Sequence, residues 1–395
     1  VQLRRKYQVG NLVSLLSAIP VPDLNWVGTL VQGLYNAIGS YGWTVVLFTL
    51  ILKVITLPLD FWQRCLTKKN AIKMEQMKPM MAKIDKAYGE NKKGAQQEKQ
   101  KLMKKFGYSM FSSCLPALVT IVFFIFMFTG LTSYTTHANV TEYNNLVDSY
   151  HYAIVVSAQE QGVDLGEYAW LIDDGDYEVG DWSTEKETAY QQFFTEKVAP
   201  LANSSGPMAD TEKYDAIIEG TKPIVGDFAG TNRESFLWIK NIWRPDTWAT
   251  VMPTYSEFTN GSLAVTGIKG ANETEYQIIY EAVGEYAGGY AGSAWNGLLI
   301  LPVLSGVLSF VSTKLSQKTQ NATMDPAMQG SGKFIYIFMP LLMVLFVLMY
   351  TAALGVYIVC QSVFTIIFTL ILTPIVNKIY SKKSISVVKQ ASYRR

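Results

Sequence analysis

Catalytic raw material is scarce in this chain of 395 residues. It holds two histidines, His137 and His151, too isolated for acid–base work, and three cysteines, Cys65, Cys114 and Cys360, with no CxxC pair and no histidine beside them. An odd, scattered cysteine set excludes a disulfide framework and a Cys/His zinc site and leaves free thiols. No GxxxxGK[ST] run is present to cradle a nucleotide phosphate. Charge is thin as well: 17% of residues are charged against 49% hydrophobic, and the formal net charge is +2. These deficits predict no catalytic residue, no cofactor and no metal, hence a protein that is not an enzyme. The apolar excess places the chain in the membrane class.

What is there comes in blocks. Five stretches approach the roughly 20 apolar residues that cross a bilayer: 42–61, 111–132, 295–313, 334–350 and 355–375. The short gap between the last two implies a tight helical hairpin. Ahead of the first, Val27, Leu30, Val31, Leu34 and Ile38 recur on one helical face, flanked by Trp26, Tyr35, Tyr41 and Trp43. That pattern suits an amphipathic helix lying in the membrane interface.

Charge then orients the blocks. Residues 64–109 carry thirteen basic and four acidic side chains, net +9; residues 314–333 carry +2 and residues 377–395 carry +6. Residues 133–292 hold 25 acidic and 8 basic side chains, net −17. With five spans every basic segment falls on one side and the acidic one on the other, and basic segments stay in the cytoplasm, so the N-terminus is outside and the C-terminus inside. Arg4, Arg5 and Lys6 sit on the outer side against this trend. Val1 stands where a start methionine would be, so the expectation is a cut boundary or a processed N-terminus, either of which could leave an earlier signal or span missing.

The expected fold is all-α. It comprises an N-terminal segment with the interfacial helix (1–41), a first core span (42–62), a cytoplasmic helical hairpin (63–109) and a second span (110–132). A large acidic extracytoplasmic region (133–293), a third span (294–313), a cytoplasmic loop (314–333), the paired fourth and fifth spans (334–376) and a basic tail (377–395) follow. In the hairpin, Met74, Met77, Met81 and Ile84 mark one helical face, YGENKKG at 88–94 breaks the helix, and a second helical run reaches Phe106. A Met stripe favours a contact surface for varied apolar partners, since thioethers repack easily; resting on headgroups, or a solvated loop that only sets topology, are the alternatives. In the acidic region, the spacing of Asp174, Asp176 and Glu178 lacks the glycine and distal glutamate of a calcium loop, so a solvated acidic loop is the reading.

Lys53 is the most informative residue. It sits inside LFTLILKVITLPLD, with Thr49, Thr56 and Asp60 on the same helical stripe. A lysine at that depth costs on the order of 3 kcal/mol and must face protein or water. The other spans offer Thr120, the pair Ser305 and Ser309, and the row Gln361, Thr365, Thr369. With no mid-span carboxylate to neutralise it, Lys53 reads as an unpaired cation in a hydrated groove; a snorkelling or salt-bridged structural lysine is the plainer alternative.

Here the chain resembles the YidC/Oxa insertase family. YGWTVVLFTLILKVITLPLD is similar to that family's first core span, with Lys53 where most bacterial members carry arginine. SSCLPALVTIVFF resembles its second span, FLWIKNIWRPD the stretch before the third, LLILPVLSGVLSF the third, MDPAMQ the cytoplasmic connection, and FMPLLMVLF with ALGVYIVCQSVFTII the final pair. The resemblance implies a multi-pass protein of the bacterial plasma membrane that helps client transmembrane segments enter the bilayer through a hydrophilic, positively charged groove, alone or with the Sec translocon. It places Lys53 as the groove cation and Thr49, Thr120, Gln361 and Thr365 as groove-lining positions, to which the helical spacing of the spans adds Thr56, Ser305 and Ser309. It also matches residues 64–109 to the cytoplasmic hairpin that meets clients, and the methionine periodicity makes Met74, Met77 and Met81 the candidate contact face there. Nascent clients, the lipid bilayer and, through the basic tail, the ribosome are the implied partners, with no nucleic-acid enzymology. The acidic insertions at 133–234 and 247–294 depart from the family. Two other classes are weighed against this: an anion transporter built around Lys53, which predicts an internal repeat not visible here, and a surface-display protein whose acidic region is the working part.

Overall fold

The computed structural model describes residues 19–89, 91–108, 111–172, 177–202, 208–261, 267–286, 295–320 and 329–392, with the backbone alone at 92, 111–121, 208–209, 317–320, 329–336, 339 and 381–392. Helices dominate, and among the described residues the only β pairing is two isolated bridges, Phe236 with Ile239 and Thr250 with Trp295. The helices are α1 Trp26–Ile38, α2 Tyr41–Tyr88, α3 Lys92–Lys105, α4 Phe111–Glu160, α5 Thr184–Phe193, α6 Met208–Asn232, α7 Tyr255–Asn260, α8 Glu273–Tyr286, α9 Ile300–Gln320, α10 Gln329–Met349 and α11 Ala352–Ser392. Two of them, Tyr41–Tyr88 and Ala352–Tyr380, are long and apolar enough to cross a membrane; Ile300–Ser316 and Pro340–Met349 are shorter apolar stretches.

The chain divides into two compact units. One comprises Val1–Tyr41, Gly130–Leu299 and Met349–Ala352; the other comprises Gly42–Thr129, Ile300–Leu348 and Ala353–Arg395.

The first unit has a water-soluble protein's core. Tyr150, Ile154, Leu171, Phe193, Ile217, Tyr276 and Ile279 bury together, drawn from α4, the 3-10 turn Gly166–Ile172, α5, α6 and α8. α6 and α8 cross at Gly226, where a Cβ would lie 2.3 Å from Tyr286 Cβ and 2.8 Å from the Ala282 carbonyl oxygen, so only glycine admits the approach. α1 starts on an Asn25 cap that accepts from Gly28 N and stops at Gly39, whose φ of 73° suits glycine. Its apolar stripe does not lie wholly outward: Val27 and Val31 are buried while Leu30 and Trp26 are exposed. Val27 packs where Gly130 of α4 leaves room, a Cβ there falling 2.4 Å from Val27 Cγ1. The calcium-like reading of the acidic loop falls on Asp174 and Asp176, outside the described residues.

Several boundaries differ from the sequence expectation. Neither α2 nor α4 stops where its apolar stretch ends: α2 runs on through Pro58 and Pro79 to Tyr88, and α4 continues to Glu160. The third apolar helix starts at Ile300 and not at residue 295. Residues ahead of it are committed elsewhere: Asn296 N donates to the Ala249 carbonyl (2.8 Å), Gly297 N to the Thr247 carbonyl (2.9 Å), and Leu299 has a φ of 62°. The break at YGENKKG is also shorter, since Asn91 caps α3 by accepting from Gly94 N and Lys92 already lies in its first turn.

Candidate functional site

In the second unit, five helices wall a cavity of about 310 Å³. From α2 come Lys53, Thr56, Asp60 and Gln63; from α4, Phe123 and Phe124; from α9, Ser309, Ser312 and Thr313; from α10, Pro340 and Met343; and from α11, Tyr357, Gln361, Ser362 and Thr365. On α2 these positions fall at i, i+3, i+7 and i+10, one face of a helix. The volume admits roughly ten waters or more, and amide, hydroxyl and charged groups from three helices give them partners.

Lys53 is buried, at 7% exposure, and it is not unpaired: its Nζ lies 2.8 Å from Asp60 Oδ2. This corrects the sequence reading, which looked for a counter-charge at the same depth. Seven residues at 1.5 Å rise separate the two Cα atoms by about 10.5 Å. Side chains lean toward the helix N-terminus, so the Asp60 carboxylate tips back toward Lys53. The long lysine stem closes the remaining distance.

The expected lining residues divide. Thr56, Ser309, Gln361 and Thr365 reach the cavity. Thr49 and Ser305 are buried but stand outside it, their hydroxyls donating to the Val45 carbonyl (2.6 Å) and the Pro302 carbonyl (2.8 Å). The Thr120 side chain lies outside the described residues. Thr56 donates to the Lys53 carbonyl (3.1 Å) and Thr365 to the Gln361 carbonyl (2.7 Å), so each turns acceptor lone pairs to the cavity. Ser309 and Ser362 meet at 3.4 Å. Sequence reasoning missed Asp60 as a partner, Gln63, Ser312, Thr313 and Ser362, although the spacing of Ser309, Ser312 and Thr313 carried the signal. It also missed Arg64, whose guanidinium donates to Thr369 Oγ1 (2.7 Å) and Thr373 Oγ1 (3.3 Å) and braces α2 against α11.

The methionine face of the hairpin turns inward. Met74, Met77 and Met81 are buried, packed with Leu102, Met103, Phe106 and Tyr108 of the second arm. The expectation of a contact surface for clients there is therefore corrected: the stripe is taken up in joining the two lysine-rich arms.

In the first unit, His151 is clamped between two carboxylates, Nδ1 2.9 Å from Glu187 Oε2 and Nε2 2.9 Å from Glu275 Oε1, with Tyr190 stacked on the ring. Burial alone would lower the imidazole, but the bonds to Glu187 and Glu275 outweigh it and hold it at about 10. Asp148 adjoins them, donor atoms within 4.8 Å of those of His151 and Glu187. Both ring nitrogens are bonded to carboxylates, and the side chains form a buried ion network.

A family model described as "60Kd inner membrane protein" matches residues 33–161 and 214–379, most of the chain and every helix that lines the cavity. The chain belongs to this family of membrane proteins. The match also covers parts of the outer region that the sequence reading set apart as insertions, leaving 162–213 as the internal stretch outside it. Among curated relatives of this YidC-like family, the membrane protein insertase YidC of Clostridium perfringens is 36% identical over 129 residues, 30% of this chain and 52% of that protein. The membrane protein insertase YidC of Caldanaerobacter subterraneus subsp. tengcongensis is 27% identical over 109 residues, 28% of this chain and 51% of that protein. The inner membrane ALBINO3-like protein 1 of the Chlamydomonas reinhardtii chloroplast is 36% identical over 94 residues, 24% of this chain and 18% of that protein. The chain thus matches about half or less of the length of these relatives.

Proposed function

We propose that this chain is a membrane protein insertase: it lowers the barrier for a client's polar tail or loop to cross the bilayer while the client's apolar helix passes into lipid. The observation that carries the reading is a buried lysine in a polar cavity walled by five helices, four of which carry the apolar stretches. A polar segment alone in hydrocarbon pays several kcal/mol for each unsatisfied backbone group. A wetted cavity shortens that dry path and supplies hydrogen-bond partners, and burial of the client's helix in lipid drives the transfer at about 25 cal/mol per Å² of apolar surface. The chain acts as a facilitator with no turnover chemistry.

The five-span topology with N-terminus out and C-terminus in, in a bacterial plasma membrane, belongs to this proposal and rests on the charge division between basic and acidic segments. So do docking of the ribosome on the basic tail and cooperation with the Sec translocon. The test is reconstitution of the full chain in liposomes with a short-tailed, single-span client. Protease protection of the client above that in empty liposomes supports the reading, and equal protection overturns it.

A further inference from the structure

We propose that Asp60 is an internal stand-in for the client's carboxylate: it holds Lys53 in the resting cavity, an acidic tail must displace it, and it thereby sets how acidic a tail must be to engage. This deepens the groove reading above and rests on it. Both residues line the same cavity, and the lysine is the deeper partner, with its side chain 8% exposed against 23% for the aspartate. The more open member of the pair is thus the one that must leave.

A displaced carboxylate needs somewhere to go, and the helix provides it. Arg64 stands four residues beyond Asp60, the spacing at which helical side chains meet. Its two terminal nitrogens are held by Thr369 and Thr373, while its buried Nε has no hydrogen-bond partner among the described residues. Asp60 therefore sits between two cations on one stripe of α2, paired with the first and one turn from an unmet donor on the second. Exchange of Asp60 from Lys53 to Arg64 frees the ammonium without leaving an aspartate uncompensated. The incoming group is a carboxylate of an aspartate- or glutamate-bearing tail, since it replaces one carboxylate with another.

The experiment uses the full chain in liposomes and single-span clients whose tails carry none, one or three carboxylates, scored by protease protection and by photocrosslinking to the cavity. Asp60→Asn is expected to raise capture of the one-carboxylate tail at least about tenfold, the size of one charge-assisted hydrogen bond, with the neutral tail little changed. Asp60→Glu, which keeps the anion, restores the discrimination. Unchanged capture in Asp60→Asn, or an equal rise for neutral tails, overturns the proposal. Should Asp60→Asn fail to accumulate, Lys53→Gln is compared with Lys53→Gln/Asp60→Asn, in which no cation is orphaned. Equal behaviour there supports action through Lys53, and any difference overturns it. Failure of the groove reading looks different: Lys53→Gln then inserts acidic tails at the wild-type rate.

Discussion

Replacing Met77 by alanine separates a packed hairpin from an open contact face. Met77 is fully buried between the arms, whereas Met80, three residues on, is 38% exposed. Truncating a buried methionine to alanine costs about 2–5 kcal/mol, and the cluster of Met74, Met77 and Met81 with Leu102, Met103, Phe106 and Tyr108 is the apolar core between these two helices. By the factor of ten per 1.4 kcal/mol, amide exchange in α3 should accelerate about thirty- to several-thousand-fold. A surface change of about 0.5 kcal/mol makes Met80→Ala a shift of about twofold. The assay is hydrogen exchange read by mass spectrometry on the purified chain, following peptides from Lys92–Lys105. If α3 exchanges at the same rate in Met77→Ala and wild type, the methionines do not join the arms, and the open face returns as the better account.

Three further outcomes follow from other parts of the molecule. Lys53→Arg should keep insertion of acid-tailed clients near wild type, whereas Lys53→Ala should lower it severalfold at equal membrane abundance and spare neutral tails; equal loss for both tail types refutes a role for the charge. Burial lifts Glu142 from 4.5 and Asp148 from 3.8 to about 7, and His151 stands near 10. Groups raised on folding stabilise fully below their unfolded values and lose that contribution as pH climbs through the folded ones, so thermal unfolding of the first unit should occur at higher temperature at pH 5 than at pH 8; the opposite order refutes the assignment. Gly226→Ala should cost about 1–3 kcal/mol by overpacking against Tyr286, while Gly284→Ala, with open space around it, should be neutral or slightly stabilising in the same melt.

How much of this was legible depended on the range of the interactions. Lys53, Thr56, Gln361 and Thr365 could be picked out because a helix converts sequence spacing into a shared face, and their helices meet at the cavity. The Lys53–Asp60 pair is within reach of the same rule, since both lie on one stripe and a salt-bridged lysine is one of its readings, but only side-chain length decides it across two turns. The methionine stripe is legible as apolar, but periodicity gives a face and not what covers it, and Phe106 and Tyr108 lie some thirty residues away. The first unit was the least legible. His151 meets Glu275 across 124 positions and Ile19 meets Asn144 across 125, and no local pattern announces such partners.

The placement of charge along α2 explains how one helix can carry a cation at depth. A lysine in mid-span costs on the order of 3 kcal/mol, and a bare ion pair in hydrocarbon would not repay the desolvation of both partners. Here the pair is not bare. Thr56, Gln361 and Thr365 border it, the cavity admits water, and Asp60 lies toward the basic end of the helix, so the ammonium is drawn along the stripe in that direction. Between them Pro58 has no amide hydrogen to give the Val54 carbonyl, which leaves one more backbone acceptor on this stretch of the helix. A polar path therefore runs from Lys53 past Asp60 to Arg64 on a helix that stays apolar and exposed at Val54 and Ile55. On the insertase reading proposed above, apolar residues at those positions hold the helix in the bilayer, and that burial lets the charged stripe persist inside it.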